Sequence, residues 1–340
     1  MKRPTMADIA ERAGVTKAAV SFALNGRPGV SEPTRRRIRA IAQELGWQPN
    51  SAARALSGGT AGAFGLVIDR PARTLGLEPF FMQLISGIQS ELTADATPLL
   101  LTMAEDRTTE IALYRSWSAR HRVDGVFLVD LRVDDARLPV LEQLGLPAVL
   151  IGAPDGRRTL PAVWSDDAAA VTTVVRHLAG LGHRRIARVG GPAPLRHTAI
   201  RTAAFDAALR AGGLTGGTVE ADYSGEGGAA ATRALLATAR PPTAILYDND
   251  VMAVSGLTAA HSLGVRVPAE LSVVAWDDSA LCELVDPPLT ALSRDIVGYG
   301  ARAARMLREA ADGRTVADQE DPAPRLTPRG SVAPPPATGA

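Results

Sequence analysis

The chain has 340 residues, of which 46% are hydrophobic and 21% charged, a composition typical of folded globular proteins and not of disordered ones. No stretch approaches the roughly eighteen consecutive apolar residues of a membrane-spanning helix, and the start MKRPTMADIA lacks the apolar core of a signal peptide. We therefore expect a cytoplasmic protein with no membrane partner. The single cysteine, Cys282, excludes an internal disulfide and a thiolate zinc cluster, and we expect neither a metal nor a cofactor.

The net charge of +1 conceals an asymmetry along the chain. Residues 1–58 carry ten basic and four acidic side chains, a net charge of +6, which leaves −5 for the remainder. A small basic segment joined to a mildly acidic body favours a polyanion-binding module attached to a second domain. A solvated charged face would give the same balance, so charge alone does not separate the two interpretations.

Three short helices are predicted near the start of the chain. Thr5 and Asp8 have the spacing of a capping box, Thr16 can cap a second helix, and Ser31 ahead of Pro33 starts a third. The apolar faces of these helices are expected to form a small core of Ile9, Ala10, Ala13, Val20, Ala23, Leu24, Ile38, Ile41, Ala42 and Leu45.

The first two of these helices have the spacing of a helix-turn-helix. Ala10 supplies a small residue where the helices cross, and Gly14 can adopt a positive φ in the turn. Val20 supplies a β-branched side chain that fills the space between the two helices. The outer face of the second helix consists of Lys17, Ala18, Ser21, Phe22 and Asn25.

In a DNA-binding helix-turn-helix this outer face enters the major groove, where Lys17 can donate to guanine and Ala18 can contact a thymine methyl group. Phe22 is interpreted as a further apolar reader; the alternative is that its ring folds back onto the small core. The basic cluster of Arg35, Arg36, Arg37 and Arg39 is expected to lie partly near phosphates. We also assign to the DNA interface Thr5, Thr16, Ser31 and Thr34.

Residues 50–59, NSAARALSGG, form a brief alanine-rich segment. Isolated helices this short are marginal in water, so we expect coil unless a partner holds the segment. Leu56 has no apolar partner within it; it either packs on the body or acts as a wedge in the minor groove. We assign Asn50, Ala53 and Leu56 to the DNA interface.

The pattern DIAERAGVT..AVS.ALNG....VS..TR.RI....ELGW.PN..AR.L resembles the head of the LacI/GalR family of bacterial transcription repressors. The similarity continues in DGVFLV, LGHRRIARVGGP, RTAAF, PTAILYDND, VPAELSVVAWDDS and PPLTAL, and covers about residues 4–326. The resemblance implies that residues 50–57 form a hinge helix on operator DNA and that Leu56 intercalates. The family commonly has an arginine where Phe22 stands, a departure that concerns the operator sequence and not the docking mode.

From residue 62 onward, apolar runs of strand length alternate with amphipathic stretches of helix length, which predicts parallel sheet covered on both faces. Strands are predicted at 63–68, 98–103, 124–129, 147–151, 185–189, 243–247 and 271–276, and helices at 80–93, 108–120, 134–144, 166–180, 197–211, 227–238, 249–263 and 295–311.

The predicted fold is thus an all-α helix-turn-helix head plus an α/β core of doubly wound parallel sheets, which the resemblance makes two-lobed and periplasmic-binding-protein-like. We divide the chain into a DNA-binding domain, a hinge or linker, an effector-binding and dimerisation core, and a disordered proline-rich tail. Their bounds are 1–49, 50–60, 61–326 and 327–340, with one lobe at about 61–162 and 292–322 and the other at about 163–289. The resemblance places chain crossovers near 161–164, 289–293 and 322.

Acidic residues follow several predicted strands, where open α/β sheets bind ligands. Each alone is more often a helix cap; together, Asp69, Asp130, Asp277 and the run from Asp248 to Asp250 indicate a cleft suited to the hydroxyls of a sugar or polyol. Arg201 would be a bidentate donor. The resemblance adds Asn249 and the rings of Tyr223, Phe80 and Phe81. The predicted effector site is Asp69, Phe80, Phe81, Asp130, Arg201, Tyr223, Asn249 and Asp277.

The sequence carries no dinucleotide fingerprint, Walker loop, HExxH or GxSxG motif, which leaves an enzyme as the weak alternative. We expect a homodimeric transcription regulator, a repressor by resemblance, that binds double-stranded pseudo-palindromic operator DNA at the nucleoid. A small-molecule effector controls its affinity, with a sugar favoured over a purine or other metabolite acting as corepressor. The rival interpretation is a sugar-binding sensor whose head no longer reads DNA.

Overall fold

The structure is a computed structural model that describes residues 4–24, 26–47, 60–70, 76–154, 156 and 160–336. The chain divides into two units, Met1–Ala61 and Gly62–Ala340. The first unit contains three helices among its described residues: α1 (Met6–Ala13), α2 (Lys17–Leu24) and α3 (Glu32–Glu44).

The capping and turn residues of α1 and α2 act as the sequence predicts. Thr5 and Asp8 form a reciprocal capping box at the start of α1, and the Thr16 hydroxyl accepts a hydrogen bond of 3.2 Å from an amide in the first turn of α2. Gly14 ends α1 with φ of 64°, a left-handed conformation that favours glycine. These local interactions fix where the first two helices end and begin.

The core of this unit is small and matches the predicted apolar faces. Its buried members are Ile9, Ala10, Ala13, Val20, Ala23, Ile38 and Ala42, with Leu24, Ile41 and Leu45 packed against them. Two arginines of the basic cluster support this core: Arg37 Nη2 donates to the Ala13 carbonyl at 2.7 Å, and Arg35 Nη1 donates to the Ala23 carbonyl at 3.3 Å. Both carbonyls lie at helix C-termini, where a cation satisfies unpaired acceptors.

The second unit alternates strands and helices along the chain. The first-sheet strands are β1 (Phe64–Ile68), β2 (Leu99–Met103), β3 (Gly125–Leu128), β4 (Ala148–Ile151), β5 (Ala162–Ser165) and β11 (Gln319–Asp321). The second-sheet strands are β6 (Arg185–Gly190), β7 (Thr215–Glu220), β8 (Ala244–Tyr247), β9 (Ser272–Trp276), β10 (Thr290–Ser293) and β12 (Arg325–Thr327). The helices are α4 (Pro79–Leu92), α5 (Arg107–Ala119), α6 (Arg137–Leu144), α7 (Asp167–Gly180), α8 (Arg196–Gly212), α9 (Gly225–Leu236), α10 (Asp250–Ser262), α11 (Ala280–Leu284) and α12 (Ile296–Ala311).

The two sheets have the same layout. The strand orders are β11-β5-β4-β3-β1-β2 and β12-β10-β9-β8-β6-β7, and every pairing is parallel except that of β10 with β12. We call the first sheet with α4, α5, α6 and α12 the first lobe, and the second sheet with α7 to α11 the second lobe. The predicted doubly wound parallel architecture is therefore confirmed.

Helices cover both faces of each sheet, which explains the apolar strands. In β1, Leu66 and Ile68 join a buried cluster with α4 and α12, whereas Val67 joins another with α5 and α6. Alternate side chains enter opposite layers, so a strand of this kind is apolar at every position. Helices α4 and α12 pack closely: a Cβ added to Gly87 would lie 1.9 Å from the Val297 carbonyl oxygen.

The chain passes between the lobes three times within the described residues, after β5, β10 and β11. The first two passages end at aspartate caps: Asp166 accepts a hydrogen bond of 2.9 Å from an amide of α7, and Asp295 one of 2.8 Å from an amide of α12. Both passages lie a few residues later than the resemblance places them, because β5 continues to Ser165 and β10 to Ser293.

The expectation of a disordered tail over 327–340 is wrong for residues 327–336. Ser331 is fully buried, donates from its hydroxyl to the Val273 carbonyl at 2.6 Å and accepts from the Thr290 amide at 2.8 Å. The tail thus supplies hydrogen-bond partners to buried backbone groups at the amino ends of β9 and β10. These hydrogen bonds order the tail despite its proline-rich composition. The last four residues lie outside the described part of the chain.

None of the helices in the described ranges combines the length and the apolar character that crossing a bilayer requires.

Candidate ligand cleft and DNA-binding surface

The outer face of α2 is presented to solvent. Lys17 and Ala18 are exposed and Ser21 is half-buried. Phe22 is 38% exposed and lies outside the buried core of its unit, so the ring does not fold back into that core. One edge of the ring lies against Gly29, where an added Cβ would be 3.3 Å from Phe22 Cδ2. The surface therefore combines a cation, a methyl group and an apolar ring, as base-edge recognition requires.

The hydroxyl residues assigned to the DNA interface lie at helix starts. Thr5 and Thr16 cap α1 and α2 through their side chains. Ser31 precedes α3, but its hydroxyl pairs with that of Thr34 at 2.9 Å instead of capping an amide. Helix N-termini with hydroxyl groups are suited to phosphate contacts. The remaining assigned residues, Asn25, Asn50, Ala53 and Leu56, lie outside the described residues.

In the second unit, a cleft lies at the carboxyl ends of the strands, between the lobes. Seven of the eight predicted effector residues line it: Phe80, Phe81, Asp130, Arg201, Tyr223, Asn249 and Asp277. Asp69 is placed elsewhere, because its carboxylate pairs with Arg132 Nη2 at 2.7 Å. Asp69 is therefore not among the residues that line the cleft, and its contact with an effector stays a prediction.

Arg201 is fixed on α8 by contacts on two sides. Its Nε donates to Asp167 Oδ2 at 2.8 Å, and its guanidinium carbon lies 3.5 Å from the centroid of the Trp276 ring. Behind it, the fully buried Arg188 forms a bidentate pair with Asp248, with Nε 2.7 Å from Oδ1. This support leaves Arg201 pre-oriented at the cleft wall.

Tyr223 is equally constrained. Its hydroxyl lies 2.6 Å from His197 Nε2 and 3.2 Å from Thr198 Oγ1, and its carbonyl accepts a hydrogen bond of 3.0 Å from Asn249 Nδ2. The ring also needs a glycine beside it, since a Cβ on Gly191 would lie 2.0 Å from its Cζ. The ring is therefore a rigid part of the wall.

Three cleft residues adopt left-handed backbone conformations that non-glycine residues rarely take. The φ angles are 49° for Asp130, 65° for Tyr223 and 64° for Asp277. Such conformations cost on the order of 1 kcal/mol each and cluster at functional sites. All three residues lie at one cleft. This indicates that the surrounding structure holds their side chains in place at the cost of backbone strain.

Sequence reasoning missed five charged residues of the cleft: Arg70, Glu78, Asp166, Asp167 and Arg294. Arg70 Nε lies 3.0 Å from Asp130 Oδ2, and Arg294 Nε lies 3.0 Å from Asp277 Oδ1. Each follows a strand or precedes a helix, so chain position could have identified them. The predicted site contains the acidic member of each pair, Asp130 and Asp277, and not the arginine.

Burial sets the protonation of the cleft groups. It raises the pKa of Glu78 to about 7, assisted by the carboxylates of Asp130 and Asp277 and opposed by Arg70. Burial, followed by the surrounding arginines, holds the pKa of His197 well below its usual range. His197 is therefore neutral near pH 7, and Tyr223 keeps its proton because burial raises the pKa of the phenol.

The lobes also touch beside the cleft through backbone hydrogen bonds. The Arg196 amide donates to the Leu131 carbonyl at 2.7 Å, and the Val133 amide donates to the Pro194 carbonyl at 3.1 Å. Two lobes that three chain segments connect can move as units about those segments, and such motion would change these contacts.

A helix-turn-helix with an exposed reading face, on one chain with a two-lobed core that holds a polar cleft, defines a ligand-responsive DNA-binding regulator. Residues 5–50 match the family of bacterial regulatory proteins, lacI family, and residues 175–332 match the periplasmic binding protein-like domain. The regulator MalR of Streptomyces coelicolor is 34% identical over 96% of this chain and 96% of its own length. The chain therefore belongs to the LacI family, whose members are transcription regulators and not enzymes.

Solved structures of relatives have the same fold. The lac repressor dimer bound to operator and the anti-inducer ONPF has a TM-score of 0.85 at 26% identity, over 98% of this chain and all of that chain. The complex of the transcriptional regulator CelR with cellobiose has a TM-score of 0.74 at 29% identity, over 97% of this chain and all of that one. The resemblance found in the sequence is thus confirmed.

Proposed function

We propose that this chain is a homodimeric regulator whose affinity for a pseudo-palindromic operator depends on a sugar bound in the cleft. The observation that carries the proposal is a cleft in which aromatic rings alternate with guanidinium–carboxylate pairs. Such a wall offers apolar faces together with hydrogen-bond donors and acceptors, which a polyhydroxylated ring requires. The relative CelR forms a complex with cellobiose, which supports a sugar for this chain.

We assign the effector contacts to the predicted residues that line the cleft. They are Phe80, Phe81, Asp130, Arg201, Tyr223, Asn249 and Asp277. We assign the major-groove contacts to Lys17, Ala18, Ser21, Phe22 and Asn25, and the minor-groove wedge to Leu56. Phosphate contacts fall to the hydroxyl groups at the helix starts and to Arg36 and Arg39, which are exposed.

A second copy of the chain is the proposed partner of the first lobe. Met82 of α4 and Leu101 and Met103 of the edge strand β2 are 60%, 43% and 51% exposed. An apolar edge strand beside an apolar helix is a surface that proteins cover by association. The lac repressor, a structural relative, is a dimer on its operator, and two-fold symmetry of the protein requires a palindromic site.

Coupling between the two sites follows from the hinge. An effector that fills the cleft favours one relative placement of the lobes, and the first lobes of a dimer then hold the segments at 50–57 closer or farther apart. That spacing decides whether the segments pair as helices in one minor groove. A regulator of this kind acts in the cytoplasm, at the nucleoid.

The experiment measures binding to labelled DNA from the region upstream of the chain's own gene, by fluorescence anisotropy at several salt concentrations. We expect steeply salt-dependent, sequence-specific binding that a sugar strengthens or weakens. Absent or salt-insensitive binding would favour a sensor that does not read DNA. If purines and not sugars change the affinity for DNA, the effector is a purine and the sugar proposal is wrong.

A further inference from the structure

The arginines that line the cleft in the described residues are each neutralised by a carboxylate of the protein. The pairs are Arg70–Asp130 at 3.0 Å, Arg201–Asp167 at 2.8 Å and Arg294–Asp277 at 3.0 Å. The buried Asp248 pairs in turn with Arg188 behind the wall. An anionic ligand entering this cleft meets guanidinium groups that already have a counter-charge.

Two carboxylates that line the cleft are left over from these pairs: Asp166, which caps α7, and the buried Glu78. Glu78 lies ahead of α4 and is 6% exposed. Its Oε2 is buried and accepts no hydrogen bond from the described residues, and Arg70 Nε, already paired with Asp130, lies 4.0 Å from it. A buried acceptor without a donor is costly in a folded protein unless a ligand supplies one.

We propose that Glu78 is a specificity-determining residue, which accepts a hydrogen bond from an effector hydroxyl and restricts the site to polyhydroxylated compounds without negative charge. This inference rests on the function proposed above and adds the charge class of the ligand. Above pH 7, sugar phosphates, sugar acids and nucleotides are excluded, because their anionic group would face the ionised Glu78, whose nearest cation, Arg70, already pairs with Asp130. A sugar hydroxyl can instead donate to Glu78 while its oxygen accepts from the remaining N–H groups of the arginines.

The test uses the 340-residue chain and matched neutral and anionic probes in a thermal-shift titration at pH 8, where Glu78 is ionised. The neutral probes are glucose, maltose and cellobiose, and their anionic counterparts are glucose 6-phosphate, maltose 6-phosphate and cellobiose 6-phosphate. We expect at least one neutral sugar to raise Tm, with no shift from its anionic counterpart at the same concentration. An equal or larger shift from a phosphate overturns the charge restriction and leaves a sugar-responsive regulator intact.

If no probe raises Tm, the sugar proposal fails and the charge restriction fails with it. The role of Glu78 itself is tested with Glu78→Gln, which keeps the shape of the side chain and removes its charge. By calorimetry at pH 8, we expect the Kd of the neutral sugar to rise about tenfold, the usual effect of losing a charged acceptor. Glu142→Gln, at an exposed position of α6, is the control and should leave the Kd unchanged. An unchanged Kd for the Glu78 variant, with its Tm showing a folded protein, overturns the role.

Discussion

The guanidinium carbon of Arg70 lies 4.4 Å from the centroid of the Tyr223 ring. Arg70 follows β1 in the first lobe and Tyr223 precedes α9 in the second, so this cation–π contact joins the lobes across the cleft. Asp130 holds the arginine, and His197 and Thr198 hold the tyrosine hydroxyl. The contact is thus made by two side chains that are each fixed within their own lobe.

This contact should contribute measurable coupling between the lobes. In a double-mutant cycle with Arg70→Met and Tyr223→Leu, we expect a coupling free energy of about 1 kcal/mol in the free energy of unfolding, since buried cation–π pairs have that strength. Urea denaturation of the four proteins measures it. If the two substitutions change the free energy of unfolding additively, the contact does not stabilise the fold.

Phe22 should matter for DNA binding and not for folding. Replacement by alanine removes an exposed ring, so Tm should change little, whereas specific operator affinity should fall about tenfold, as expected for the loss of an apolar base contact. Anisotropy with operator and with random DNA separates the two effects. Val20→Ala is the matched control, because it empties a fully buried position on the same helix and should lower Tm. A Phe22 variant that loses stability and keeps its affinity would place the ring in a structural role.

Glu78 should make the stability of the chain depend on pH. Its pKa in the folded chain is about 7, above the ordinary value of 4.5, so between these pH values the folded state keeps a proton that the unfolded chain has released. Stability is therefore lost as the pH rises from about 4.5 to 7. Glu78→Gln removes this loss, and its Tm relative to the unmodified chain should be higher at pH 8 than at pH 5. An equal Tm difference at both pH values would mean that Glu78 is ionised throughout.

Ser331 should anchor the tail to the second lobe. Ser331→Ala leaves the buried Thr290 amide without its acceptor, at a cost of about 1–3 kcal/mol in unfolding free energy. Chemical denaturation measures the loss. Ser262→Ala, at an exposed position of α10, is the comparison and should have little effect. If both variants had the same free energy of unfolding, the Ser331 hydrogen bonds would not stabilise the second lobe.

The helices could be predicted because their apolar residues recur at helical spacing. Most strands could be predicted because they are continuous runs of buried apolar residues. The strands that sequence reasoning missed have little such pattern. β7, TGGTVE, is an edge strand with two glycines and exposed or half-buried residues, and β5, AVWS, breaks the apolar run with a serine and has a half-buried tryptophan. Sheet pairing, and not local propensity, makes these segments strands.

The cleft was predicted from the ends of the strands, but the ion pairs within it were not. Asp69 and Arg70 are neighbours in the chain, yet Asp69 pairs with Arg132 while Arg70 enters the cleft. Consecutive side chains of extended backbone point to opposite sides, and the sequence does not state which side is the cleft. The pairing of Arg70 with Tyr223 depends on how the lobes meet, which local patterns do not encode.

The most direct test of the account is the operator Kd of the full-length chain with and without a saturating concentration of a sugar that raises its Tm. The account predicts a change of about fivefold or more, the usual range for coupled sites, and no change in Arg201→Ala, whose cleft has lost its fixed donor. A sugar that binds the unmodified chain and leaves the operator Kd unaltered would contradict it.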